Sequence, residues 1–399
     1  MTSKDESPNE RLKRYRKALL GRKAPLAFVD LDLLEANARE ISEKLGSKKL
    51  RVGTKSIRSR ALLDLILKWN PSNEGCMTIS SSEAVWLSSL GYKNLVVGYP
   101  TVNVNEIKDV IAACEKGASI TLMADSKAHL ELYQRLAHQA GFTLSIWLDV
   151  DASTPVPGVY FGVHRSSLTS LEKVRALAAE AKLQSNLTVS GFMTYEAQIA
   201  GVQDRPPSAW QGPFVRFLKA RAVRIVAQRR SEVRKILLEA GHPITRLNGG
   251  GTGSLSTTSK DVNVTEITLG SGYYSPALFD HYDDFHLAPA AGYAVEVVRH
   301  SHEGVWTCFA GGYPASGTGP DRVPTPYLPE GLRLLANEGA GEVQTPVQSK
   351  DELHLGDLVF FRHAKAGEMC ERFNELHLIR GDRVVDVVKT YRGEGFAFA

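Results

Sequence analysis

Apolar positions along the first two thirds of the chain follow two alternating rhythms. Short apolar runs at residues 26–30, 51–55, 76–80, 94–97, 119–123, 142–150, 189–194, 245–248 and 264–269 predict buried strands. The stretches between them, such as 32–37 and 61–69, carry amphipathic helix spacing, with acids such as Asp32 and Glu35 in a first turn where the helix dipole favours them. Nearly every predicted strand closes on polar or glycine residues. Alternation of this kind makes a parallel α/β fold, and a count near eight favours a closed (β/α)8 TIM barrel over an open doubly wound sheet. Loops that follow the strands of a barrel share one face, so residues distant in sequence converge there.

The rhythm loosens between Gln198 and Arg234, where Asp204-Arg205-Pro206-Pro207 breaks the chain and a strongly basic helix over 217–234 reads as a solvated face. From about residue 289 the helical spacing disappears. Short runs at 293–298, 305–310, 358–361, 376–379 and 384–388, divided by Gly, Pro and charged turns, predict an all-β domain. The expected organisation is a lead-in segment over 1–22, a barrel over 23–288 and a β domain over 289–399.

Composition narrows the function classes. The 399 residues carry 43% hydrophobic side chains and a net charge of only +4, without a dominant basic block, so neither nucleic acid nor a membrane surface is implied. The first 23 residues are charged and lack an apolar core, which predicts a cytoplasmic protein with no signal or anchor there. Cys76, Cys114, Cys308 and Cys370 lie far apart and suggest neither a disulfide framework nor a zinc knuckle.

Two kinds of chemistry stand out at the strand ends. Lys55 closes the run Arg51-Val52-Gly53-Thr54-Lys55; a lysine deprived of water there has a lowered pKa, and its neutral amine attacks aldehydes to form a Schiff base. The cluster Asn248-Gly249-Gly250-Gly251-Thr252-Gly253-Ser254 and the later Gly270-Ser271-Gly272-Tyr273 each offer backbone N–H groups and hydroxyls suited to phosphate. Neither is a P-loop or a dinucleotide fingerprint. Either alone reads equally as a turn, but two successive strand ends of this kind match the phosphate site that barrels build from their last loops.

These motifs, taken with Val29-Asp30-Leu31-Asp32 and residues 80–83, resemble in order and spacing the fold-type III pyridoxal-phosphate enzymes, the alanine racemase-like group, and within it the D-threonine aldolase and D-serine dehydratase branch. The resemblance implies that Lys55 holds pyridoxal 5′-phosphate. It implies that Gly250, Gly251, Thr252, Ser271, Gly272 and Tyr273 receive the phosphate, and that Tyr195 and Arg165 lie near the ring. It also implies a homodimer acting on a small amino acid. The branch carries a metal-binding pair near its C-terminus; here Cys370 keeps its place, Glu368 stands where a histidine is usual, and His363 lies five residues earlier. Cys370, His363 and Glu368 are therefore candidate ligands for zinc or manganese.

The expected reaction is aldolase-type cleavage of a β-hydroxy, D-configured amino acid to glycine or a simple amino acid and an aldehyde, with His363 or a metal-bound hydroxyl assisting the proton. Dehydration to a 2-oxo acid and ammonia is the alternative, with Lys55 taking the Cα proton. Racemisation is another, needing a second base such as Tyr313 or Tyr327 from a partner's β domain. A cofactor carrier without turnover or a phosphate-binding barrel without pyridoxal are the readings outside these enzymes.

Overall fold

A computed structural model describes residues 6–156, 159–205, 212–317 and 319–398; Pro206 and Pro207, read above as part of a break, lie outside them. The strands in chain order are β1 (Leu26–Asp30), β2 (Lys49–Gly53), β3 (Asn73–Thr78), β4 (Leu95–Val97), β5 (Ile120–Ala124), β6 (Leu144–Asp149), β7 (Thr154–Val156), β8 (Val159–Phe161), β9 (Leu187–Thr194), β10 (Arg246–Gly249) and β11 (Glu266–Leu269). Eight of these close a barrel in the order β10-β11-β2-β3-β4-β5-β6-β9, every pairing parallel, with β9 returning to β10. The intervening helices begin where Ser80, Asn103, Ser126 and Ser170 accept hydrogen bonds from first-turn N–H groups, each such cap contributing about 1 kcal/mol. After β3 and β5 the polar closure of the run is thus the start of the next helix.

The remaining strands are β12 (Ala291–His302), β13 (Val305–Phe309), β14 (Thr325–Leu328), β15 (Arg333–Leu334), β16 (Gln344–Gln348), β17 (Leu358–Arg362), β18 (Glu375–Arg380) and β19 (Arg383–Lys389). They form the predicted all-β region. The barrel boundary at residue 23 needs correction, because β1 is not a barrel strand. It pairs antiparallel with β12 and parallel with β18, within the nine-stranded sheet.

The period-2 pattern explains why β1 is buried along its whole length. Leu26 and Phe28 join a cluster with Tyr15, Leu19 and Phe360, whereas Ala27 and Val29 point into the main core. Tyr15 belongs to the helix Pro8–Ala18 of the lead-in, and its ring lies 4.9 Å from that of Phe28. Asp30 ties these pieces together: it caps the helix Leu31–Leu45 and accepts from Arg14 Nη2 at 2.7 Å and Tyr15 Oη at 2.9 Å. The lead-in and β1 are therefore part of the β region.

The basic helix is Gly212–Glu239. Arg221, Arg224 and Arg234 are solvated as expected, but Lys219 and Arg230 are buried. Lys219 pairs with Asp204 at 2.6 Å, and Arg230 reaches beneath the barrel mouth.

Candidate active site

β2 ends at Gly53 and passes into the short 3-10 turn Thr54–Ser56, which carries Lys55. Thr54 Oγ1 donates to the Met77 carbonyl at 3.0 Å, and the Ile57 carbonyl accepts from Tyr274 Oη at 2.9 Å and Cys370 Sγ at 3.5 Å. Gly367, at φ +90°, comes so close that a β-carbon there would sit 2.0 Å from the Lys55 carbonyl oxygen. The backbone on both sides of Lys55 is thus clamped by the barrel and by the β region. The side chain itself is exposed on the wall of a cavity, not withdrawn from water as the sequence suggested.

That cavity has a volume of about 670 Å3 and lies at the C-terminal ends of the barrel strands. Lys55 enters after β2, Thr78 from β3, Gly98 after β4, Arg165 after β8, Tyr195 after β9, Gly250 after β10 and Ser271 after β11. Convergence on one face is what closure of the barrel dictates.

On one side stands the glycine-rich loop. Gly250 has φ +81°, a left-handed backbone that other residues rarely adopt. Gly250, Gly251, Thr252 and Ser271 all line the cavity; Thr252 Oγ1 lies 3.3 Å from Ser271 Oγ and accepts from the Gly272 N–H at 3.0 Å. Gly272 and Tyr273 stand behind this wall and do not line it. The Tyr273 hydroxyl is buried without a hydrogen-bond partner, and burial pushes its pKa up.

Two residues that sequence reasoning missed hold the loop. Glu196, buried next to Tyr195, accepts from Gly250 N at 3.0 Å, Ser254 Oγ at 2.9 Å, Thr258 Oγ1, and Arg230 Nη2 at 2.5 Å. Arg230 also donates to Thr194 Oγ1 and O and to Asp261 at 3.1 Å. It explains Gly249 as well, since a β-carbon there would lie 2.3 Å from the guanidinium. The only sequence signal for Arg230 was its place in an apparently solvated basic helix.

Tyr195 lines the cavity with the Arg165 guanidinium 5.9 Å from its ring centre. Burial, with the Glu196 charge, pushes its phenol up to about 12, so it is a proton-bearing hydroxyl at neutral pH. Asp149, at the end of β6, is pushed up to about 7 by burial and by the Asp125 charge, against the pull of Arg165. Beneath the cavity, Arg51 makes a two-pronged ion pair to Glu266 at 2.6 and 2.9 Å, and Asn248 donates to the same carboxylate at 2.8 Å.

The expected metal ligands do not come together. His363 is buried away from the cavity, its ring edge-on to Tyr274 at 6.2 Å; burial and Arg362 push it down to about 3 against the Ala291 backbone. Cys370 is buried, its thiol pushed up to about 12 by burial and turned toward the Ile57 carbonyl, and it does not line the cavity. Only Glu368 reaches the cavity, accepting from Ser316 N at 2.6 Å and Ser316 Oγ at 2.5 Å. Among the described residues no group of three or more His, Cys, Asp and Glu is placed to hold a metal ion. The catalytic role expected of His363 fails for the same reason: its ring does not line the cavity.

Among the described residues, the charged side chains lining the cavity are Lys55, Arg165, Arg322 and Lys365 against Glu368, an excess that favours anions. Tyr313 and Tyr327 do not line it. Among the described residues no helix is long and apolar enough to cross a membrane.

The family described as alanine racemase, N-terminal domain, matches residues 29–234. No curated protein matches the sequence. Among solved structures, D-threonine aldolase from Filomicrobium marinum superposes with a TM-score of 0.76 at 18% identity, over 94% of this chain and 96% of that one. D-threo-3-hydroxyaspartate dehydratase from Delftia sp. HT23 gives 0.74 at 17% identity, over 94% and 98%. Alanine racemase from Clostridium difficile 630 gives 0.63 at 14% identity, over 93% and 99%. At these identities the likeness is one of fold.

Proposed function

The chain belongs to the family of the alanine racemase N-terminal domain, and from that premise we propose that it is a pyridoxal-phosphate lyase that splits the Cα–Cβ bond of a β-hydroxy, D-configured amino acid. The observation that carries the reading is a single cavity lined both by the amine of Lys55 and by the glycine and hydroxyl loop after β10 and β11. This wall fits the cofactor: Gly250 is held in a backbone only glycine adopts readily, two hydroxyls stand 3.3 Å apart, and cations exceed acids. Lys55 would bind the aldehyde carbon, and the Thr252 backbone with the Thr252 and Ser271 hydroxyls would take the phosphate; Gly250 and Gly251 shape this wall, but their N–H groups are already given to Glu196 and to Ser254 Oγ. When bound, pyridoxal phosphate supplies an electron sink for the pair released as a bond to Cα breaks.

The chain's own groups then divide the remaining work. Burial would raise the Glu368 carboxyl, but hydrogen bonds from Ser316 and the charges of Lys365 and Arg58 hold it below its ordinary value, so it is an anion facing the cavity. Its oxygens keep lone pairs beyond those Ser316 uses, which suits it to accept a hydrogen bond from the β-hydroxyl and orient that group. Tyr195 donates a hydrogen bond from its phenol, and Arg165 offers a positive charge to the α-carboxylate. Lys55 orients the amino acid it gives way to. We also propose a homodimer, as the family resemblance implies.

The test is to reconstitute the protein with pyridoxal phosphate, supply D-threonine and D-threo-3-hydroxyaspartate, and assay glycine, aldehyde and 2-oxo acid separately. Glycine with an equal amount of aldehyde or 2-oxo acid fragment supports cleavage. Ammonia with a 2-oxo acid that keeps all the substrate's carbons replaces it with dehydration, and an inverted amino acid replaces it with racemisation.

A further inference from the structure

We infer that the cavity takes a substrate with a second carboxylate, and that Arg322 and Lys365 are the residues that bind it. This rests on the functional reading above for the amino-acid part of the substrate. Both cations come from the β region, and both line the cavity. They also converge: a β-carbon on Gly317 would meet Arg322 Nε at 3.1 Å and Lys365 Nζ at 3.6 Å.

Arg322 has donor capacity left there. Among the described residues its buried Nε meets no hydrogen-bond acceptor, and its Nη1 has only the Asp321 carboxylate, 3.4 Å away. Buried donors of a charged group are costly to leave unmade, and a carboxylate matches the planar fork of a guanidinium. Lys365 donates to the Ser316 carbonyl at 2.6 Å, and burial with the charges of Arg322 and Lys55 depresses its pKa against the pull of Glu368 and Asp321. The acid beside them, Glu368, accepts from Ser316 and is a single negative charge against the two cations. Lys55 is committed to the cofactor, and Arg165 lies over Tyr195 on the barrel side, where it serves the α-carboxylate. The pair left over faces whatever extends beyond Cβ. A methyl group at that place leaves the Arg322 donors unfilled; a carboxylate fills them.

The experiment measures binding of succinate and of butyrate to the reconstituted, coloured protein by titration calorimetry, and compares kcat/KM for D-threo-3-hydroxyaspartate with that for D-threonine. Succinate is expected to bind at least about 10-fold tighter than butyrate, the size of one charge-assisted hydrogen bond, and the acidic substrate to be preferred by a similar factor. In Arg322→Gln and Lys365→Gln, both ratios fall by about 10-fold. Equal binding of the two acids to the unmodified protein overturns the inference without any variant, as do ratios that survive both substitutions. Failure to form a coloured protein sinks the functional reading instead, so the two failures are distinguishable.

Discussion

Replacing Arg230 with methionine removes the counter-ion of a carboxylate that has no access to water. The side chains of Arg230 and Glu196 are 3% and 1% exposed, and their closest contact is 2.5 Å. After Arg230→Met, Glu196 keeps its bonds from Gly250, Ser254 and Thr258 but stays charged in a low-dielectric site, and Asp261 and the Thr194 carbonyl lose a donor. Breaking a buried pair on one side costs about 3–5 kcal/mol, a large part of the roughly 5–15 kcal/mol that holds a domain folded. Urea unfolding reads that loss directly. Arg224→Met, on the solvated face of the same helix, should stay within about 0.5 kcal/mol of the unmodified protein. Adding Glu196→Gln to Arg230→Met removes the stranded charge, so the double variant should lose less than the sum of the singles. The Gly250 N–H and Ser254 anchor on Glu196, so pyridoxal phosphate affinity should also drop in Glu196→Gln. An Arg230→Met protein as stable as Arg224→Met would refute the claim that this pair holds the glycine loop.

Other expectations follow from single residues. The Asp149 carboxyl, raised to about 7, contributes stability fully present below its ordinary pKa near 4 and lost as pH rises through 7; Asp149→Asn should flatten the urea midpoint between pH 4 and 8, removing at most about 4 kcal/mol of pH dependence. Gly367→Ala forces a β-carbon into the Lys55 carbonyl at a left-handed backbone position, and should cost at least the roughly 1–3 kcal/mol of such strain, lowering both Tm and kcat. Cys370, buried and held as a thiol, should resist a thiol reagent until the protein is unfolded. Because no three His, Cys, Asp or Glu side chains among the described residues are placed to hold a metal ion, chelator treatment should leave activity unchanged.

The barrel was legible because parallel strands buried on both faces leave short apolar runs, and because some runs end in a residue such as Ser80 or Ser126 that starts a helix. Lys55, Gly250 and Ser271 were legible for a related reason: in a closed barrel the end of a strand is a place in space as well as in sequence. The same logic misplaced β1, whose apolar run looks like a barrel strand; only its alternating neighbours, Phe360 on one side and the main core on the other, show that it belongs to the sheet. Arg230 was illegible because a charged residue in a charged stretch gives no sign of burial, and Glu196 because a lone acid at a strand end reads equally as solvated. The failure at Cys370 and His363 was of another kind. Residue type and spacing matched a ligand set, but a 3-10 turn over Glu368–Glu371 aims the thiol at the Ile57 carbonyl, and His363 is buried against Tyr274.

The account depends most on which amine meets the cofactor. The purified protein should be mixed with pyridoxal 5′-phosphate, reduced with borohydride, digested, and its peptides weighed. A single pyridoxyl group on Lys55, absent from Lys55→Ala, is the predicted result. A label on Lys365 or another lysine, or none at all, would contradict it.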